Sequence, residues 1–127
     1  MRLEITLQVG EVQVTGELND SPTAQAIGEV LPLEGTVSTW GEEIYFTIPV
    51  KASLDDTAKE LVDYGDIGYW PRGSALCLFF GPTPISRPGE IRPASAVNIV
   101  GKLIGDSQCL KEVKDGIIIK IEKSLKE

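Results

Sequence analysis

At 127 residues and 13.7 kDa, with 42% hydrophobic and 24% charged residues, the chain reads as one domain, residues 1–127, long enough to bury about two thirds of its unfolded surface. Twelve basic residues against nineteen acidic ones give a net charge of −7 with no long run of either sign, which argues against a nucleic-acid partner. Histidine is absent, removing Ser-His and Cys-His nucleophile pairs and the commonest zinc ligand, and no apolar run approaches the roughly 18 residues of a membrane span.

The N-terminus, MRLEITLQVGEV, alternates charged or polar with apolar residues and lacks the apolar block of a signal peptide, so cytoplasmic residence is expected. Leu3, Ile5, Leu7 and Val9 face one way and Glu4, Thr6 and Gln8 the other, a strand with one wet face. Gly10-Glu11 turns the chain, and Val12, Val14 and Leu18 carry the alternation back, so residues 2–18 read as a hairpin. Asp20 or Ser21 is placed to cap a helix that Pro22 opens and Pro32 stops, predicted over residues 22–31. Leu33 to Trp40 and Glu43 to Ile48 form a second hairpin through Gly41, with Ile44 and Phe46 on one face and Glu43 and Tyr45 on the other. Residues 50–64 carry a weaker pattern that suits either a short helical turn capped by Asp55 or Asp56, or a packed connection.

The stretch from Gly65 to Ser86 organises the rest. Two antiparallel strands are predicted around the turn Trp70-Pro71-Arg72-Gly73, which suits type I geometry, and the second strand, Ala75 to Phe80, is almost continuously apolar. From Gly81 to Ala94 come Pro82, Pro84, Pro88 and Pro93, a surface loop that reads equally as a stiff connector or as the wall of a groove. Val97 to Ile104 returns to strand, Asp106 or Ser107 caps a short helix through Val113, Ile117 to Glu122 is the last strand, and the tail KSLKE is expected to fray. Cys77 in the apolar strand and Cys109 in the short helix are expected to be buried free thiols rather than a disulfide.

Eight strands and two short helices, at residues 22–31 and 107–113, predict a mainly β fold: a closed eight-stranded antiparallel barrel capped by a helix at each mouth. The order of elements resembles the cyclophilin fold. Trp40-Gly41-Glu42-Glu43-Ile44-Tyr45-Phe46, the run GDIGYWPRGSALCLFFG from Gly65 to Gly81, and PASAVNIVGK from Pro93 to Lys102 are similar to the cyclophilin-like family of small prokaryotic proteins. Phe79-Phe80 resembles the paired phenylalanines of true cyclophilins, and Asn98 to Lys102 resembles the strand before their second helix.

True cyclophilins are peptidyl-prolyl isomerases that hold proline in an apolar pocket, while an arginine donates to the peptide near the rotating bond. The resemblance implies that Phe80 lines such a pocket and that Phe79 packs outward under a helix. The strand that carries the arginine in cyclophilins corresponds to Val37 to Phe46, which has no arginine and offers Trp40, Glu43 and Tyr45 instead. A carboxylate there repels a carbonyl oxygen rather than stabilising it. Arg72, Arg87 and Arg92 fall in turns or the loop.

The remaining candidates divide between scaffold and site. Tyr69 and Trp70 suit either the core or ligand recognition at the end of a strand. Glu42 reads as a solvated turn residue, whereas Glu43 points into the groove if Ile44 and Phe46 point to the core. Asp63, Asp66 and the glutamates lack the loop spacing of a cation site, so no metal and no cofactor is expected. Ser95 and Asn98 read either as partners that satisfy the backbone, the reading preferred, or as ligand donors, and Ser74 has no base beside it. The expectation is a binding module whose groove, lined by Trp40, Glu43, Tyr45, Tyr69, Trp70, Phe80 and Thr83, holds a small molecule or short peptide without the isomerase arginine. The alternative is a divergent peptidyl-prolyl isomerase. No membrane partner is expected.

Overall fold

In the computed structural model, which describes residues 2–124, the early alternation becomes a hairpin of β1 (Leu3–Val9) and β2 (Val12–Leu18), in register from Leu3 opposite Leu18 to Val9 opposite Val12. Gly10 turns it at a φ of 61°, a value that costs a residue without a Cβ little. The single α-helix among the described residues, α1 (Pro22–Glu29), starts where Ser21 Oγ accepts from the Ala24 amide at 3.3 Å. It stops short of residue 31 because Val30 has already left helical geometry ahead of Pro32. Ala24 and Ile27 seat the helix on the core.

The strands that follow are β3 (Leu33–Thr36), β4 (Ser38–Thr39), β5 (Glu43–Thr47), β6 (Ala58–Lys59), β7 (Asp66–Trp70), β8 (Ala75–Phe79), β9 (Val97–Ile104) and β10 (Ile118–Lys123). Among the described residues they form one ten-stranded sheet in the order β3-β10-β1-β2-β9-β7-β8-β5-β4, with β6 pairing to β9 off this path. All of the pairings are antiparallel. The expected eight strands are therefore ten, and the expected closed barrel is a pairing path left open between β3 and β4.

Both differences have local causes. The run predicted as one strand over 33–40 changes partner at Val37. Its first part pairs with β10, Val37 N donates to Ile117 O at 2.9 Å, and the residues beyond pair with β5. The tenth strand is β6, formed where residues 50–64 pack as a connection rather than a helical turn. There the Asp55 carboxylate accepts from the Thr57 amide at 2.8 Å and its hydroxyl at 2.6 Å, holding Ala58 opposite Asn98.

The second expected helix is a 3-10 helix over Gln108–Glu112. Ser107 stands at its N-cap without a side-chain capping bond; one residue earlier the Asp106 carboxylate accepts from the Gln108 amide at 2.9 Å, and Leu110 is the buried anchor. With one apolar anchor the helix buries only one face, and Cys109 is exposed rather than buried, while Cys77 is a buried free thiol as expected. The turn between β7 and β8 is likewise a short 3-10 helix, Pro71–Gly73, completed by Ser74 in the left-handed region at a φ of 47°. Of the tail KSLKE, residues 125–127 lie outside the described residues; within them Ser124 N donates to Glu4 O at 3.0 Å.

The apolar residues divide between two faces of the sheet. The larger cluster takes Ile5, Leu7, Ile27, Ile44, Phe46, Tyr69, Leu76, Leu78, Phe80 and Val100 among others. A smaller cluster on the opposite face of β7, β8 and β9 consists of Val62, Cys77, Phe79 and Val97, with Tyr45, Trp70, Ile91 and Ile99 packed against it. No helix among the described residues is long and apolar enough to cross a membrane.

Candidate binding site

A cavity of about 220 Å³ opens over the smaller cluster, lined by Trp40, Glu43, Tyr45, Trp70, Cys77, Pro93, Ala94 and Val97. Strand periodicity builds it. On β5, Ile44 and Phe46 turn to the main core, so Glu43 and Tyr45 turn to the cavity. Glu43 lies opposite Phe79 and Tyr45 opposite Cys77 on β8, and Gly68 of β7 stands opposite Cys77 on its other side. Gly68 is required by the packing: a Cβ there would lie 2.9 Å from Val97 Cγ2 and 3.2 Å from Phe79 Cε2. Its bare backbone leaves room for Phe79 and Val97 to pack together, and of these Val97 lines the cavity.

Trp40 reaches the rim through the tight turn before β5. Gly41 adopts a φ of 63°, and Trp40 N donates to Glu43 O at 2.9 Å. Trp70 is fixed from the other side, its indole Nε1 donating to Ser95 Oγ at 2.6 Å. The far wall is the proline-rich loop, of which Pro93 and Ala94 face the cavity.

Glu43 is the electrostatic centre. It is 6% exposed, and among the described residues no lysine or arginine pairs with it. Burial raises its carboxyl from 4.5 to about 7, against which a hydrogen bond from the Cys77 thiol acts weakly. Cys77 is pushed well above the usual thiol range, first by burial and then by the Glu43 charge and hydrogen bond. Its one proton has two acceptors, Glu43 and Ala75 O at 3.9 Å, and the carboxylate, when charged, is the stronger of them. A thiol so held is not a nucleophile at neutral pH.

Four of the residues picked from sequence, Trp40, Glu43, Tyr45 and Trp70, come together here, and three do not. Tyr69 is fully buried in the main core on the opposite face of β7 from Trp70; its hydroxyl donates to Val50 O at 2.6 Å and accepts from Ala52 N at 3.2 Å. Phe80 also joins the main core and borders a separate hollow with Thr39, Leu110 and Lys111, so it does not line the cavity as the resemblance implies, and Phe79 lies in the smaller cluster without lining it either. Thr83 is buried inside the proline loop. Its hydroxyl donates to Arg92 O and its amide to Ser86 Oγ at 2.9 Å, a loop-stapling role.

Cys77, Pro93, Ala94 and Val97 were not picked from sequence. Cys77 is found only through the β5–β8 register, which sets it opposite Tyr45, and the other three depend on long-range packing. Glu42 is partly exposed and pairs with Lys111 at 3.6 Å, as a turn residue should. Asn98 satisfies backbone groups, its Oδ1 accepting from Asp55 N at 2.8 Å and its Nδ2 donating to Ser53 O at 2.9 Å. Arg72 and Arg87 are exposed, Arg92 pairs with Glu90 at 2.8 Å, and none of these guanidinium groups lines the cavity. Among the described residues no three Cys, Asp or Glu side chains gather to hold a metal ion.

Comparison with known proteins agrees with this architecture. A family model described as cyclophilin-like matches residues 1–122. The chain is similar to the solution structure of the hypothetical protein AF2241 from Archaeoglobus fulgidus, at 39% identity over 97% of this chain and 95% of that one, with a TM-score of 0.82. No curated protein matches it.

Proposed function

The chain belongs to the cyclophilin-like family, and from that premise we propose that it is a binding module whose cavity between β5, β7, β8 and the proline loop holds a small molecule or one side chain of a short peptide. The observation that carries this reading is the wall itself. Three aromatic side chains, Trp40, Tyr45 and Trp70, and a single buried carboxyl converge on one concave space, the usual form of a small-ligand site: mostly apolar, with few placed polar groups. At about 220 Å³ it has room for about seven waters, or a ligand of comparable size, at about 30 Å³ for each water.

Binding without isomerisation is favoured by what the wall lacks. Catalysis of prolyl rotation calls for a donor that lowers a barrier of about 18–20 kcal/mol, and no arginine lines this wall to supply it. The arginines that would have to supply the donor are exposed or paired in the loop.

NMR titration of the labelled protein with Xaa-Pro peptides and with a set of small aromatic and aliphatic fragments tests both readings. The expected result is shifted resonances of Trp40, Tyr45 and Trp70 with one ligand class, and cis/trans exchange of the peptides at its uncatalysed rate. Exchange accelerated by catalytic amounts of protein, and lost in Trp70→Ala, would establish the divergent isomerase instead. If no peptide or fragment moves the cavity resonances, the binding reading fails.

A further inference from the structure

The buried carboxyl at the cavity wall is the feature that a generic apolar site does not explain. A neutral apolar ligand gains nothing from Glu43, and an ionised side chain nine-tenths buried is costly without a compensating charge. Proteins place buried charges beside partners, yet the residues that line the cavity with Glu43 supply none. Trp40 comes from the turn before β5, Cys77 from β8, Tyr45 from Glu43's own strand, Trp70 from β7, Val97 from β9, and Pro93 and Ala94 from the loop; none of them carries positive charge. Aromatic rings and a carboxyl around one small space are the two features that attract an organic cation. The ring quadrupole attracts positive charge at its face, and the carboxylate neutralises it.

Building on the binding reading above, we propose that the ligand is a small organic cation of the alkylammonium class, seated with its charged head between the Trp40, Tyr45 and Trp70 side chains and against the Glu43 carboxylate. A bare metal ion does not fit, because hard cations collect several oxygen ligands and this wall offers one carboxyl group. An anion is opposed by Glu43. A guanidinium or ammonium head on a larger body is limited by the room available, which suits a compact head with few further atoms.

The test uses a matched pair of probes on the intact protein: choline, and 3,3-dimethylbutan-1-ol, its neutral isostere. Titrations followed at the Trp40 and Trp70 indole N–H and the Tyr45 ring resonances give both affinities. Choline is expected to bind about tenfold more tightly than the alcohol, the usual reward for a desolvated cation between aromatic faces, and to lose about tenfold in Glu43→Gln. Equal affinity for the two probes, unchanged in Glu43→Gln, would overturn the cation assignment and leave a neutral binding site standing. Should choline fail to bind while fragments from the first test still shift the cavity resonances, the cation assignment again falls alone. Silence from choline, the alcohol and all the fragments removes the binding reading with it. If Glu43→Gln does not fold, the comparison of the two probes on the wild-type protein still decides the matter.

Discussion

β5 and β8 present two faces of opposite character. Toward the main core, Ile44, Phe46, Leu76 and Leu78 interlock with residues of β1, β2 and α1, and each is 3% exposed or less. Toward the cavity, Glu43, Tyr45 and Cys77 sit in the same backbone ladder, yet Tyr45 is half-buried and a carboxyl takes a place where an apolar side chain would fit. The backbone hydrogen bonds are common to both faces, so the difference lies in what covers them. One face is sealed by the rest of the sheet and a helix; on the other, Val62 and Ile91 pack with Phe79 and Val97, and a cavity lined by Pro93 and Ala94 is left beside them. A face left partly open keeps room for a ligand and gives up some burial to do so.

Truncation should separate the two faces most sharply. Leu78→Ala removes a fully buried side chain from the sealed face and is expected to cost about 2–5 kcal/mol. Tyr45→Ala, on the neighbouring ladder position but over the cavity, is expected to cost about 1 kcal/mol. Urea denaturation of both variants measures the contrast. Equal losses would mean that the cavity face is as tightly packed as the core, and the distinction would collapse.

The buried carboxyl gives the comparison a pH axis. The folded-state carboxyl of Glu43 stands near 7 against an ordinary 4.5, so between those values the folded protein holds a proton that the unfolded chain has released. Stability from this group is therefore intact below pH 4.5, declines as pH rises through the window, and is fully lost above about 7. The whole change is about 3 kcal/mol, at about 1.4 kcal/mol for each pH unit. Glu43→Gln, which cannot ionise, is expected to be more stable than the wild type by up to that amount at pH 8 and nearly equal to it at pH 4. A pH-independent difference between the two proteins would show that Glu43 ionises freely and is not the strained group of the open face.

How far the two faces could be told apart from sequence depends on whether alternation carries a contrast. On β5 it does: Glu43, Tyr45 and Thr47 against Ile44 and Phe46 places three side chains on one side before any coordinates are known. On β8 every residue from Ala75 to Phe79 is buried, because both faces are covered, and five apolar residues in a row hold no information about which face each takes. The choice between Phe79 and Phe80 then rests on resemblance alone, and neither lines the cavity: Phe80 is in the main core and Phe79 in the smaller cluster. Tyr69 and Trp70 show the same limit, since adjacent aromatics must part company but the sequence does not say which one turns inward. The change of partner at Val37 was equally hidden, because an extended run looks alike whichever strand it meets. The wall contributed by Pro93 and Ala94 was legible only as a loop, for composition records its stiffness and not its destination.

The smallest effect concerns how firmly the open face is held. Among the described residues Trp70 is the wall residue tied by a short side-chain bond to another segment, its Nε1 donating to Ser95 Oγ at 2.6 Å. Ser95→Ala removes the acceptor while leaving the indole partly exposed to water, which can take the vacated bond, so a stability loss of about 1 kcal/mol or less is expected. The larger response belongs to the ring itself: without its anchor the indole should sample more than one rotamer, and tryptophan fluorescence anisotropy should fall. A site preorganised by that bond should then bind the fragments identified by titration a few-fold more weakly, since part of the binding energy goes into ordering the ring. Unchanged anisotropy and affinity would place the rigidity of Trp70 in its packing against Val97 and Phe79, making the open face self-supporting in the same way as the sealed one.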